Sequence, residues 1–219
     1  VESPLLRIAR RLYHPLKSRA LHRVDLKLPF IKQRDGFFIE AGANDGVAQS
    51  NTLYLEQVRG WRGLLIEPVP ALADMCRVNR SRCIIENAAL VARDFEGDTI
   101  KMQACGLYSV VQGSLAHETE HLQTGRATQK GVEPAEVEVP ARKLSDILDE
   151  HNISQIDFFS LDVEGFELQV LKGLDLERHR PDWLLIEGGG IAPIVEYLQP
   201  YYDREAKQIS PFDTLYKAR

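Results

Sequence analysis

Long hydrophobic runs are missing from this chain of 219 residues. No apolar stretch approaches the ~20 residues that a helical bilayer crossing takes. Cysteine is scarce, with only Cys76, Cys83 and Cys105. An odd count without a Cys-x-x-Cys pair argues against a disulfide framework or a zinc site. Packed free thiols in a reducing cytoplasm are the expectation. No signal peptide is visible after Val1. No internal repeat or low-complexity tract is present. The dinucleotide fingerprint is missing too. A GxGxxG starting at Gly42 needs glycine at 44 and 47, where Asn44 and Val47 stand. Tyr13 has a lysine four residues on, Lys17, in the basic N-terminal segment, but none of Tyr54, Tyr108, Tyr197, Tyr201, Tyr202 or Tyr216 in the main domain does. Both gaps weigh against a nicotinamide-dependent reductase, which stays as an alternative.

What is present is an ordinary globular composition, 44% apolar and 27% charged, enough for one domain with a real core. The net charge of −5 is unevenly spread. Residues 1–36 hold nine Lys/Arg against three Asp/Glu, so the remainder is strongly acidic. An acidic body argues against nucleic acid as a partner. Residues 1–35 read as a basic helical extension, with Leu5, Leu6, Ala9 and Leu12 at helical spacing. Such a helix covers the domain or a second subunit. A peripheral membrane contact through residues 1–20 is the less favoured use.

Residues 36–219 read as the main domain. Short apolar runs, each closed by a polar residue, recur along it. They end at Glu40, Glu67, Asn87, Asp162 and Glu187. Continuous apolar strands belong to a parallel sheet covered on both faces. Between them lie helical patterns at 50–59, 70–79, 145–151 and 166–172. Ser50-Asn51-Thr52 and Ser145 offer N-cap chemistry, Pro70 suits a first turn, and Gly173 suits a left-handed stop. Alternation of strand and helix makes the class α/β. Glu205–Ile209 and Asp213–Lys217, joined by three residues, predict a C-terminal antiparallel hairpin. Residues 104–135 fit neither period, and a loop that long predicts a lid or substrate loop.

Ligands of open parallel sheets bind outside the carboxyl ends of the strands. Five polar residues at five strand ends would converge there. In the turn Glu40-Ala-Gly42-Ala-Asn44-Asp-Gly46, glycine lets a ligand come close to the backbone. Glu67 follows Gly46 at the end of the second strand, where a carboxylate meets a ribose diol. An ionised carboxylate accepts from both hydroxyls at once. Asn87 and Ala88 lie where an adenine edge would be held.

These segments resemble a known family. Phe38-Ile-Glu-Ala-Gly-Ala-Asn-Asp-Gly46, Leu65-Ile-Glu-Pro68, Glu86-Asn-Ala-Ala-Leu90 and Ser160-Leu-Asp-Val-Glu-Gly-Phe-Glu167 are similar to the FkbM methyltransferases. The resemblance spans residues 36–217. It implies a Rossmann-like class I methyltransferase fold, with a seven-stranded, mostly parallel sheet whose last strand runs antiparallel and helices on both faces. It implies S-adenosyl-L-methionine (SAM) as cofactor and O-methylation of a small-molecule hydroxyl, often on a sugar or glycosylated natural product. Carried onto this chain, it gives Gly42, Asn44 and Gly46 to the methionine end, Glu67 to the ribose and Asn87 to the adenine. Glu40, Ser50, Pro68 and Ala88 join that cofactor set. Many members carry Asp where Glu40 stands. Asp162 and Glu164 would face the transferred methyl, and Asp162 counts with both the cofactor and the catalytic groups. Asp162 is the first candidate for a base and His117 the second; His121 would share its helical face. No metal site is assigned. Asp162, Glu164 and Glu187 are nonetheless oxygen ligands of the kind Mg²⁺ accepts. A homodimer is compatible with this reading, as is a SAM-binding interaction domain without catalysis.

Overall fold

The computed structural model describes residues 18–219. A 3₁₀ segment, Leu21–Lys27, precedes the first half: β1 (Phe37–Ala41), α1 (Leu53–Arg59), β2 (Arg62–Ile66), α2 (Pro70–Asn79) and β3 (Ile84–Glu86). An insertion follows: β4 (Ala89–Leu90), β5 (Thr99–Ala104), β6 (Val110–Val111), α3 (Glu118–Thr128) and β7 (Ala135–Arg142). The second half comprises α4 (Leu144–Glu150), β8 (Phe158–Leu161), α5 (Glu167–Lys172), β9 (Trp183–Glu187), α6 (Ala192–Leu198), β10 (Tyr202–Arg204) and β11 (Asp213–Ala218). Of the basic helical extension expected over residues 1–35, the part with Leu5 to Leu12 lies outside the described residues, and the described part holds the 3₁₀ segment Leu21–Lys27 rather than an α-helix.

The main sheet has seven strands in the order β3-β2-β1-β8-β9-β11-β10. β11 runs antiparallel to both neighbours, and the other pairings are parallel. The strands are apolar throughout because both faces are covered. Alternate residues go to opposite sides. Ile39, Leu64, Ile66, Phe159 and Ile186 pack with α4, α5 and α6. Phe38, Leu65, Phe158 and Leu185 pack with Leu55 of α1, Cys76 of α2, and Val24, Leu28 and Phe30 of the N-terminal segment. Each such side chain contributes roughly 1.5–3 kcal/mol on full burial. The chain steps outward from β1 to β3 and returns to β8 on the other side of β1. The crevice between β1 and β8 is therefore the topological switch point.

Several local expectations are corrected. The hairpin's first arm is Tyr202–Arg204, paired with Tyr216–Ala218, not Glu205–Ile209. Ile209 is buried in the core instead, so the connection is a folded loop. Gly173 ends α5 at φ −83°, not in the left-handed region. Glycine is needed there because a Cβ would stand 2.0 Å from the Val91 carbonyl oxygen. Ser145 lies inside α4 rather than before it, and its hydroxyl accepts from the Asp175 N–H at 2.7 Å.

Residues 104–135 are not a structureless loop. They supply β6, α3 and the start of β7, part of a four-stranded sheet ordered β4-β7-β5-β6. Ala89, Met102, Val111 and Val139 form its own small core. α3 packs closely on the 3₁₀ turn Gly106–Tyr108 through Gly125. A Cβ there would lie 2.7 Å from Tyr108 Cβ and 2.8 Å from Cys105 Sγ.

Candidate active site

The carboxyl ends of β1, β2, β8 and β9 open into a cavity of about 540 Å³. That is a usual size for a small-molecule site. The insertion closes one side with Met102, Tyr108, Val111 and His121, and the N-terminal segment and the β10–β11 loop close another with Leu21, Val24 and Phe212.

The turn after β1 is left-handed at Gly42 (φ 81°), Asn44 (φ 51°) and Gly46 (φ 77°). At Gly42 a side chain is excluded twice over, since a Cβ would also fall 1.8 Å from the Asp162 carbonyl oxygen. The β1 and β8 ends are thereby held against each other. Glu67, only 4% exposed, accepts from the Asn44 N–H at 2.8 Å and the Val69 N–H at 2.9 Å. Burial outweighs these two donors and pushes its carboxyl up to about 7. Each oxygen has one lone pair left for a further donor, as a vicinal diol requires. Pro68 and Ala88 line the cavity beside it.

Glu40 lines the cavity but is heavily engaged. Its carboxylate accepts from Ser50 Oγ (2.9 Å), Thr52 Oγ1 (2.6 Å) and the Asn51 N–H (2.8 Å), with Arg80 Nη1 at 3.4 Å. Ser50 in turn accepts from the Leu53 N–H at 3.1 Å, so it starts α1 as well as facing the cavity. Glu40 and Ser50 shape the wall more than they offer free groups to a ligand.

At the ends of β8 and β9, Asp162, Glu164 and Glu187 bring one carboxylate oxygen each to within 4.8 Å of one another. Burial and the neighbouring Glu187 raise the proton affinity of Asp162 well above the usual carboxylate range; the two groups share a hydrogen bond. Burial, then Glu187 and Glu167, raise Glu164 to about 8. Glu167 accepts from the Val163 and Gly165 N–H groups at 3.1 and 3.0 Å, which shapes the loop carrying Glu164. Six carboxylates, Glu40, Glu67, Asp162, Glu164, Glu187 and Asp213, line the cavity; among the described residues no lysine or arginine does.

Three candidates lie elsewhere. His117 precedes α3 with an 82% exposed side chain, paired with Glu120 at the surface and outside the cavity. One turn on, His121 is inside, with Nε2 3.5 Å from Glu164 Oε2 and its ring 5.1 Å from that of Tyr108. The helix phase decides between them, and it is invisible in so polar a segment. Asn87 does not line the cavity; its amide donates to the carbonyls of Glu67 and Pro68 at 2.9 and 2.8 Å. Gly46 faces Arg80, not the cavity. The sequence reading also missed Arg80, for an arginine at a helix end carries no mark of full burial.

The FkbM methyltransferase domain model matches residues 40–209. The chain belongs to the FkbM methyltransferase family. Methyltransferase sdnD of Sordaria araneosa is 30% identical over 202 residues, covering 74% of this chain and 71% of that protein. The crystal structure of methyltransferase FkbM from Methylobacillus flagellatus KT shares the fold at a TM-score of 0.53 and 18% identity. That match covers 88% of this chain and 47% of that one, so the chain spans about half its length. This FkbM domain is thus of the SAM-dependent class, and the cavity's residues fit the cofactor. Glu67 has one lone pair free on each oxygen, as a ribose diol needs, and Gly42 and Asn44 bring bare backbone to the cavity wall.

Proposed function

We propose that this FkbM domain transfers a methyl group from SAM to a hydroxyl of a neutral small molecule, a sugar or glycosylated natural product. The observation that carries the reading is the cavity's lining. Six carboxyl groups with no facing lysine or arginine offer hydrogen-bond partners to neutral hydroxyls and no cation to a phosphate. When bound, SAM would supply a sulfonium methyl for attack by an acceptor oxygen, with S-adenosylhomocysteine as the leaving group.

The chain's own task is then placement and proton handling. Aligning two reactants contributes about 7–11 kcal/mol, and a general base about 10²–10⁴-fold. Asp162 orients the acceptor hydroxyl and, in its ionised form, takes its proton; its raised proton affinity makes that form the stronger base. Glu164 and His121 stand beside it to pass that proton on. The trio Asp162, Glu164 and Glu187 is also spaced to hold Mg²⁺, which would lower the acceptor's pKa. Three free thiols suit a cytoplasmic location, and no helix among the described residues is long and apolar enough to cross a membrane.

Calorimetric titration with SAM, S-adenosylhomocysteine and NAD⁺ tests the donor site. Binding of the two adenosyl sulfur compounds, lost in Glu67→Ala, is expected. Binding of NAD⁺ alone overturns the reading. Methyl transfer to a panel of neutral, amino and carboxylated glycosides, with and without Mg²⁺, then tests the acceptor class. Preference for the carboxylated members would contradict it.

A further inference from the structure

The C-terminal half of α2 holds three consecutive carbonyls of the glycine turn. The Cys76 thiol donates to the Asn44 oxygen at 2.9 Å, Asn79 Nδ2 to the Asp45 oxygen at 2.8 Å, and Arg80 Nη1 to the Gly46 oxygen at 3.0 Å. Positions 76, 79 and 80 share one helix face by their i, i+3, i+4 spacing. None of the three lines the cavity. They grip the turn from behind and draw its carbonyls, the negative ends of its peptide dipoles, toward α2.

Arg80 reaches further. It is fully buried, with Nη1 also 3.1 Å from Ser50 Oγ, Nη2 2.9 Å from Thr52 Oγ1, and Nε on Glu56. Its partners run from Glu40 to Glu56, the whole connection between β1 and α1. A buried ion pair is a weak device for stability, because desolvation offsets most of its attraction. Its geometric effect is large here. The turn holds three left-handed residues, and two of them, Gly42 and Asn44, line the cavity. The glycines take this backbone freely, whereas at Asn44 it carries a cost that the surrounding contacts must offset.

We propose that Arg80 is the positioning residue of the donor site. With Cys76 and Asn79 it presets the wall at Gly42–Asn44 and Ala48–Ser50, against which the methionine end of SAM lies. Arg80 touches neither reactant and acts through Glu40, Ser50 and the Gly46 carbonyl. The inference rests on the reading of this cavity as a SAM site. Glu67 and Ala88, at the nucleoside end, hang on β2 and the residues after β3 and make no contact with Arg80; Glu67 meets the turn only through the Asn44 N–H at 2.8 Å and is held independently by the Val69 N–H at 2.9 Å. The two ends of the donor therefore respond differently to its loss.

The test is calorimetric titration of wild type, Arg80→Lys, Arg80→Gln and Asn79→Ala with SAM and with 5′-methylthioadenosine, which has the nucleoside but no methionine tail. Competition against SAM gives the second constant where direct heat is small. The Arg80 variants are expected to weaken SAM by about tenfold or more, the scale of one lost charge-assisted hydrogen bond. The nucleoside should stay within about twofold. Asn79→Ala should weaken SAM by roughly threefold with the same selectivity. Equal weakening of both ligands means a merely structural role and overturns the proposal, as does unchanged SAM affinity. If the Arg80 variants show no cooperative melting, Asn79→Ala and Cys76→Ala decide on the same two ligands. A wild type that binds no SAM would sink the cofactor reading itself, a failure distinct from loss of selectivity in the variants.

Discussion

Glu67 illustrates how one buried carboxylate can bind and sense pH together. Two backbone N–H groups favour its charged form, yet loss of water wins and leaves it titrating at about 7. A diol is best received by the ionised form. SAM affinity should therefore fall as pH drops through 7, by up to about tenfold per unit below it. Titrations between pH 6 and 8.5 measure this. In Glu67→Gln the step near 7 should vanish, leaving weaker binding and only a change near 8 from Glu164. A wild-type affinity flat across that range would contradict the assignment. The position of Glu67 was legible in the sequence because a strand end and a spacing define it. The partners of Asn87, Gly46 and Arg80 were not. Each uses its polar atoms or its contact face on a neighbouring segment, and no periodicity reports which way a residue at a turn or helix end faces.

Among the elements, legibility followed burial pattern. β1, β2, β8 and β9 are apolar on both faces and α2 is bounded by its own proline, so their places and the α/β class could be read directly. The insertion could not be read as a helix. α3 buries only Gly125 and has no apolar stripe, so its phase left no trace. The alternation Val137, Val139 in β7 was a usable strand signal that went unread. The contact at Gly125 yields a prediction at this scale. Gly125→Val must push α3 off Tyr108 and Cys105, since even a Cβ lands 2.7 Å from Tyr108. His121 then leaves Glu164, from which it now stands 3.5 Å. Binding of SAM in calorimetry should change by less than about threefold, because Glu67 and the glycine turn lie in other elements. Methyl transfer should fall by about 10²-fold, the scale of a lost general base or of a misplaced substrate wall. Equal loss of both would show that α3 supports the donor site as well.

At the scale of the whole molecule, the acidic floor is a local instability that the rest of the fold carries. Asp162, Glu164, Glu167 and Glu67 all have proton affinities raised in the folded state, chiefly by burial. A raised carboxyl binds its proton more tightly folded than unfolded. Its stabilising share is complete below the ordinary carboxylate range near 4.5 and is lost as pH rises through the folded values, about 7 for Glu67 and 8 for Glu164. The ligand-free protein should thus melt at lower temperature at pH 8.5 than at pH 6. Asp162→Asn removes one of the crowded acidic groups while keeping the side chain's size. It should raise the melting temperature at pH 8.5, with roughly 2–4 °C for each kcal/mol relieved in a chain of this length, and change it little at pH 6. The same substitution should abolish most methyl transfer, so that stability and turnover move in opposite directions. Scanning calorimetry at the two pH values decides the matter. A variant that melts lower than wild type at pH 8.5 would show that Asp162 is held by partners rather than crowded by them.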